Sequence, residues 1–147
     1  MSDGASAPAG PFPIPHREPF LFLTRLEARD GEEARFAYDL PRNSDSFSLK
    51  MFPSLLMVEA MAQAAAAFHG IQMNEDGSGH TENGVLASID KVRVSGRPRP
   101  GDTLTIKVKR KKVFGPMVLL TGEVWVSHRL ACSADIYVRR GAPEGAA

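Results

Sequence analysis

Residues 54–69 read Ser54-Leu55-Leu56-Met57-Val58-Glu59-Ala60-Met61-Ala62-Gln63-Ala64-Ala65-Ala66-Ala67-Phe68-His69, and this stretch decides the fold. Almost every residue in it is a good helix former. Ser54 is placed to cap the N-terminus, and Gly70 to follow the last turn as a C′ residue. A helix on a protein surface carries an apolar stripe and a polar face, but this one leaves no solvent face. It must therefore be wrapped by a sheet or by a second subunit. Between Ser54 and His69 the only strongly polar side chains are Glu59 and Gln63, four residues apart and so on one face.

A carboxylate set in such a helix has two readings. Desolvation raises a carboxyl pKa, so Glu59 could stay protonated near neutral pH and serve as a general acid. Alternatively, Glu59 pairs with an arginine or with backbone groups and only fixes the position of the helix.

On the N-terminal side, residues 20–26 are an apolar run, a charged turn follows at Arg29-Asp30-Gly31-Glu32, and residues 34–40 alternate. This predicts two strands joined by a turn. Residues 41–50 have no period and many turn formers, which predicts a loop of the kind that carries chemistry on a rigid scaffold. On the C-terminal side, residues 72–83 are a polar connection. Strand character follows over residues 84–94, 102–113, 117–126 and 130–138, with Pro98, Pro100 and Gly101 breaking the first from the second. Two strands, one helix and then several strands predict an α+β domain: an antiparallel sheet packed on one helix.

The chain has 147 residues, enough for one domain with a real core, and its 43% hydrophobic and 24% charged residues are ordinary for a globular protein. The Ser-, Ala-, Gly- and Pro-rich ends, residues 1–13 and 141–147, are expected to be flexible tails around a folded body of residues 14–140. A formal net charge of +1 supplies no global field for nucleic acid or anionic lipid, so neither is expected as a partner. The apolar run within residues 55–68 is too short and too interrupted to suggest a membrane span. A lone cysteine, Cys132, forms no internal disulfide or multi-cysteine metal site, which suits a reduced cytoplasm. No metal and no cofactor is expected.

Four motifs, in order, carry a family resemblance. Ile14-Pro15-His16-Arg17-Glu18-Pro19-Phe20-Leu21 resembles the "LPHRYPFL" opening of the FabZ-type 3-hydroxyacyl-acyl carrier protein dehydratases. Phe52-Pro53-Ser54-Leu55-Leu56-Met57-Val58-Glu59-Ala60-Met61-Ala62-Gln63 resembles their "FPGVLxxEAMAQ" helix. Ala87-Ser88-Ile89-Asp90-Lys91-Val92-Arg93 resembles their "AGIDKARF" strand, and Arg97-Pro98-Arg99-Pro100-Gly101-Asp102 their "RPVxPGD" segment. The resemblance implies a hotdog fold, with a curved antiparallel sheet around one long central helix, and a dimer whose sites lie at the subunit interface.

It also implies roles. The family's glutamate matches Glu59, while an ungapped count places Asp45 where the family has its catalytic histidine. Glu59 and Asp45 are therefore the expected catalytic residues, with Phe52, Pro53, Ser54 and Gln63 as the substrate-binding surround. The family's helix-start glycine is Ser54 here, whose backbone N–H remains available to polarise a thioester carbonyl. Aspartate with an ordinary pKa is a weaker base than histidine. The remaining histidines, His16, His69, His80 and His128, are expected in surface or structural roles. The basic residues Lys107, Lys109, Arg110, Lys111 and Lys112, with Arg97 and Arg99, suit either an acidic carrier protein with its phosphopantetheine phosphate or a solvated strand face.

The expected activity is dehydration of 3-hydroxyacyl thioesters carried by acyl carrier protein or coenzyme A, in fatty-acid or polyketide-type biosynthesis. A hotdog thioesterase, a non-catalytic acyl-thioester binder and the partner subunit of a heteromeric dehydratase are the alternatives. Either a homodimer or a hotdog heterodimer is expected, because so apolar a helix is difficult to bury in so short a chain.

Overall fold

A computed structural model describes residues 12–18, 20–42, 53–75 and 85–140. It contains β1 (Arg25–Arg29), β2 (Glu33–Asp39), α1 (Pro53–Glu75), β3 (Val85–Val94), β4 (Thr103–Phe114), β5 (Met117–Val126) and β6 (Arg129–Arg139). The strands form one sheet in the order β1-β2-β4-β5-β6-β3, and every neighbouring pair is antiparallel. Its concave face wraps α1. This is the expected α+β hotdog architecture.

The period-two pattern explains how the sheet meets the helix. Leu104, Ile106 and Val108 of β4, Val118, Leu120, Gly122 and Val124 of β5, and Cys132, Ala134, Ile136 and Val138 of β6 are buried, and the residues between them are not. At Gly122 a side chain would meet Ile136 Cδ1 at 2.9 Å and Met61 Sδ at 3.0 Å. Glycine there lets the helix settle into the curve of the sheet. Cys132 lies in this core, and burial pushes its thiol pKa up, which makes it unreactive.

Several local expectations are corrected. The helix begins at Pro53, so Ser54 lies inside the first turn rather than at the cap. Proline suits a first helical position because its fixed φ is pre-set and it has no N–H to satisfy. The helix also continues past Gly70 to Glu75. Gly70 is there for a close approach: a Cβ on it would lie 2.9 Å from Pro13 Cγ. The polar last turn is held by the β1–β2 turn, where Gln72 donates to the Gly31 carbonyl at 2.7 Å and Glu75 pairs with Arg29. At this length α1 matches a membrane span in size and apolarity, but the sheet accounts for that apolarity by burying it.

The first strand starts at Arg25, later than the apolar run suggested. Leu21, Phe22 and Leu23 are buried without joining the ladder. Packing also reaches back to Phe12, inside the expected N-terminal tail, whose ring meets Phe36 edge-on at 5.7 Å. Apart from Phe12 and Pro13, both expected tails, and His80, lie outside the described residues.

Candidate active site

The site grows from one backbone irregularity. Because residues 20–22 do not pair with a strand, their polar groups need other partners, and Gln63 supplies them. Its Oε1 accepts the Phe22 N–H at 2.7 Å, and its Nε2 donates to the Phe20 carbonyl at 2.9 Å. The Phe22 N–H can only donate, so the orientation of the Gln63 amide is determined. The second Nε2 hydrogen then goes to Glu59 Oε2, at 3.0 Å. Gln63 is 1% exposed and uses both ends of its amide.

Leu55, Glu59 and Gln63 lie one turn apart on one stripe of α1, which climbs from the core to the surface. Glu59 was expected in an apolar enclosure, yet its side chain is 44% exposed in the single chain. One turn earlier Leu55 is 59% exposed, and exposed Phe20 stands beside Leu21 on the facing segment. The described residues therefore leave the carboxylate half-open to solvent.

A second side chain reaches the same oxygen. His16 Nε2 lies 3.3 Å from Glu59 Oε2. Its segment is held in place by Arg17, which donates to the carbonyls of Ile14 at 2.8 Å and His16 at 2.7 Å. The sequence reading gave His16 only a surface or structural role; the structure brings it to the expected catalytic carboxylate. The signal was its place in the "LPHRYPFL"-like motif, but nothing in the spacing shows that residues 16 and 59 meet.

Of the other expected site residues, Pro53 and Ser54 form the start of α1, with Ser54 exposed. First-turn backbone N–H groups have no partner within a helix and favour negative charge. Asp45 and Phe52 lie outside the described residues.

Comparison with known proteins then assigns the chain. Residues 12–144 match the ApeP-like family, described as ApeP dehydratase. The chain belongs to the ApeP-like dehydratase family. It is 33% identical over 129 residues to the 3-hydroxyacyl-[acyl-carrier-protein] dehydratase FabZ of Staphylococcus carnosus, covering 84% of this chain and 86% of that protein. To the FabZ of Haemophilus ducreyi it is 34% identical over 137 residues, covering 86% and 85%. Among solved structures, the dehydratase heterocomplex ApeI:P from Xenorhabdus doucetiae superposes with a TM-score of 0.76 at 18% identity, over 89% of this chain and 90% of that one. A hypothetical thioesterase from Streptococcus pneumoniae solved with coenzyme A gives 0.62 at 14% identity, over 80% and 88%. The FabZ resemblance and the hotdog fold thus both stand, and the Glu59 cluster is the part of this ApeP-like chain that carries titratable groups on the family's helix motif.

The remaining basic residues divide in two. Lys107 lies over the Trp125 ring at 4.9 Å, and Arg110 meets Glu32 and the Gly31 carbonyl, so this part of β4 is engaged on the outer sheet. Arg97 and Arg99 instead line a groove of about 370 Å³ together with Arg129. Asp102, the acidic residue of that groove, accepts the Arg99 backbone N–H at 2.8 Å. Leu40 and Gly101 pair the strand leading to residues 43–52 with this end of the sheet, through Leu40 N–H to Asp102 and Gly101 N–H to Pro41.

Proposed function

We propose that this ApeP-like chain contributes a dehydratase site for 3-hydroxyacyl thioesters, with Glu59 as the general acid. The observation that carries this reading is the arrangement of Glu59 itself. One oxygen, Oε2, accepts from Gln63 and has His16 Nε2 at 3.3 Å, while Oε1 makes no hydrogen bond among the described residues. Dehydration breaks a C–H bond beside the thioester carbonyl and the C–OH bond one carbon further. A proton delivered to the departing hydroxyl makes it water, and the base that takes the carbon-bound proton receives the other. Glu59 is suited to the first task. Asp45, at the family's histidine position by ungapped count, is put forward for the second, with the Ser54 N–H polarising the carbonyl and Phe52 and Pro53 lining the approach.

A second hotdog chain is proposed to complete the enclosure. Edge strand β3 exposes Val85, Leu86, Val92 and Val94 beside its unpaired backbone edge, and such an edge favours pairing with another strand. The partner is a second copy or a related hotdog chain. The Arg97, Arg99 and Arg129 groove is suited to the phosphate of a carrier-protein or coenzyme A thioester. The setting proposed is cytoplasmic.

The test is mass spectrometry of the purified protein with 3-hydroxyacyl, enoyl and saturated acyl thioesters on carrier protein and on coenzyme A. Interconversion of hydroxyacyl and enoyl thioesters by loss or gain of water is expected. Glu59→Gln should lower turnover about 100- to 10,000-fold. Release of free thiol would replace the reading with a thioesterase, and binding without turnover would replace it with a thioester binder. A stable monomer at micromolar concentration in sedimentation would remove the partnered enclosure.

A further inference from the structure

The geometry around Glu59 says more than that a carboxylate is present: it distinguishes the two oxygens. Gln63 can offer only N–H to Oε2, because its carbonyl end is committed to the Phe22 N–H. His16 presents Nε2 to the same oxygen, and its Nδ1 is buried without a hydrogen-bond partner among the described residues. That unpartnered nitrogen decides the tautomer. A proton on Nδ1 would be a buried donor with no acceptor among the described residues, whereas a bare Nδ1 lone pair is the less demanding group to leave there. The neutral ring therefore carries its hydrogen on Nε2, the nitrogen that lies 3.3 Å from Glu59 Oε2.

We propose that His16, as its Nε2–H tautomer, is a positioning residue that sets an N–H beside Glu59 Oε2, which already accepts from Gln63, so that the carboxyl proton resides on Oε1. The role in turnover rests on the dehydratase reading; the tautomer and the choice of oxygen do not. Protonated on Oε1, the acid presents its proton from the unbonded side of the carboxyl group. After delivery, the charge that appears on the carboxylate already faces two donors and needs no rearrangement. An imidazole thus acts on the family's glutamate from within the same chain, apart from Asp45.

Nitrogen-15 correlation spectra of the His16 imidazole in the full-length protein test this directly. A neutral ring held as the Nε2–H tautomer is expected, with its resonances displaced in Glu59→Ala. An Nδ1–H tautomer, or a freely averaging mixture, in the wild type overturns the proposal. In kinetics, His16→Ala should lower kcat by up to about 100-fold, as loss of positioning does, with KM changed by no more than about twofold. His16→Gln, whose amide N–H can reach the same oxygen, should recover most of the loss. Wild-type kcat in a folded His16→Ala protein, with folding verified by its melting transition, overturns the role in turnover. Absence of turnover in the wild type itself sinks the dehydratase reading, and the spectra still decide the tautomer.

Discussion

The two halves of α1 differ more than any other neighbouring parts of the molecule. In the C-terminal half, Ala64, Ala65, Ala67 and Phe68 are fully buried, and the curved sheet closes on them. In the N-terminal half, Ser54 and Leu55 are exposed and Glu59 is half-exposed, although the sequence is equally apolar there. The contrast comes from shape. Alanines let the sheet approach closely, Phe68 fills the space they leave, and Gly122 removes the side chain that would hold Met61 away. Beyond Met61 the stripe Leu55-Glu59 runs out from under the sheet. The N-terminal half still buries Leu56, Met57, Ala60 and Met61, so it holds the fold on one face and presents chemistry on the other, whereas residues 64–68 serve the core alone.

The sharpest way to break this comparison is to truncate one apolar residue in each half. Phe68→Ala should destabilise the protein by about 3–5 kcal/mol in urea unfolding, through lost burial and the cavity left behind. Leu55→Ala should change the stability of the unassociated chain by no more than about 0.5 kcal/mol, because its side chain already faces solvent. Similar losses at both positions in the unassociated chain would mean that the N-terminal half is as enclosed as the C-terminal half.

Gln63 sits where the halves join, and replacing it tests whether site and fold are coupled. Gln63→Leu keeps the bulk but leaves the buried Phe22 N–H unsatisfied, with an expected loss of about 1–3 kcal/mol in the same unfolding measurement. It also frees Glu59 Oε2 from one donor, so turnover should fall along with stability. Stability unchanged within error would show that residues 20–22 find other partners.

The smallest effect lies far from the helix, on the exposed rim of the sheet. Arg25 bonds Asp39 at 2.6 Å, and this guanidinium, with the Thr103 hydroxyl, holds the Asp39 carboxyl below its ordinary pKa. A depressed native pKa contributes stability that is present above the unfolded value of about 3.9 and is lost as pH falls through the native one. Asp39→Asn should therefore flatten the acid limb of the stability profile slightly below about pH 4, and added salt should shrink the difference, because the pair is solvated. A large change at neutral pH would contradict this account.

How much was legible in advance follows from how local each signal is. The all-round apolar helix, the alternation in β4 and the breakers at Pro98, Pro100 and Gly101 are short-range patterns, and they led to an α+β domain with an antiparallel sheet on one helix; the hotdog fold followed from the resemblance carried by the four motifs. The pairing of Glu59 with Gln63 was legible too, because a spacing of four on a helix fixes a shared face. The ends of elements were not. Ser54 looked like a cap although Pro53 before it is itself a local start signal, and Gly70 looked like a stop because the approach of Pro13 is decided by packing.

The amino-acid sequence by itself determined the fold class, the family and the carboxylate on which a site would be built, since these rest on residue type, periodicity and four motifs that resemble a known family. Only the tertiary structure decided what surrounds that carboxylate. His16 and Glu59 are far apart in the chain, and they meet because residues 20–22 leave the ladder and hand their hydrogen bonds to Gln63, bringing the preceding segment across α1. No pattern of spacing encodes that path. It follows from the requirement that buried backbone groups be satisfied, which the chain resolves only once it is folded.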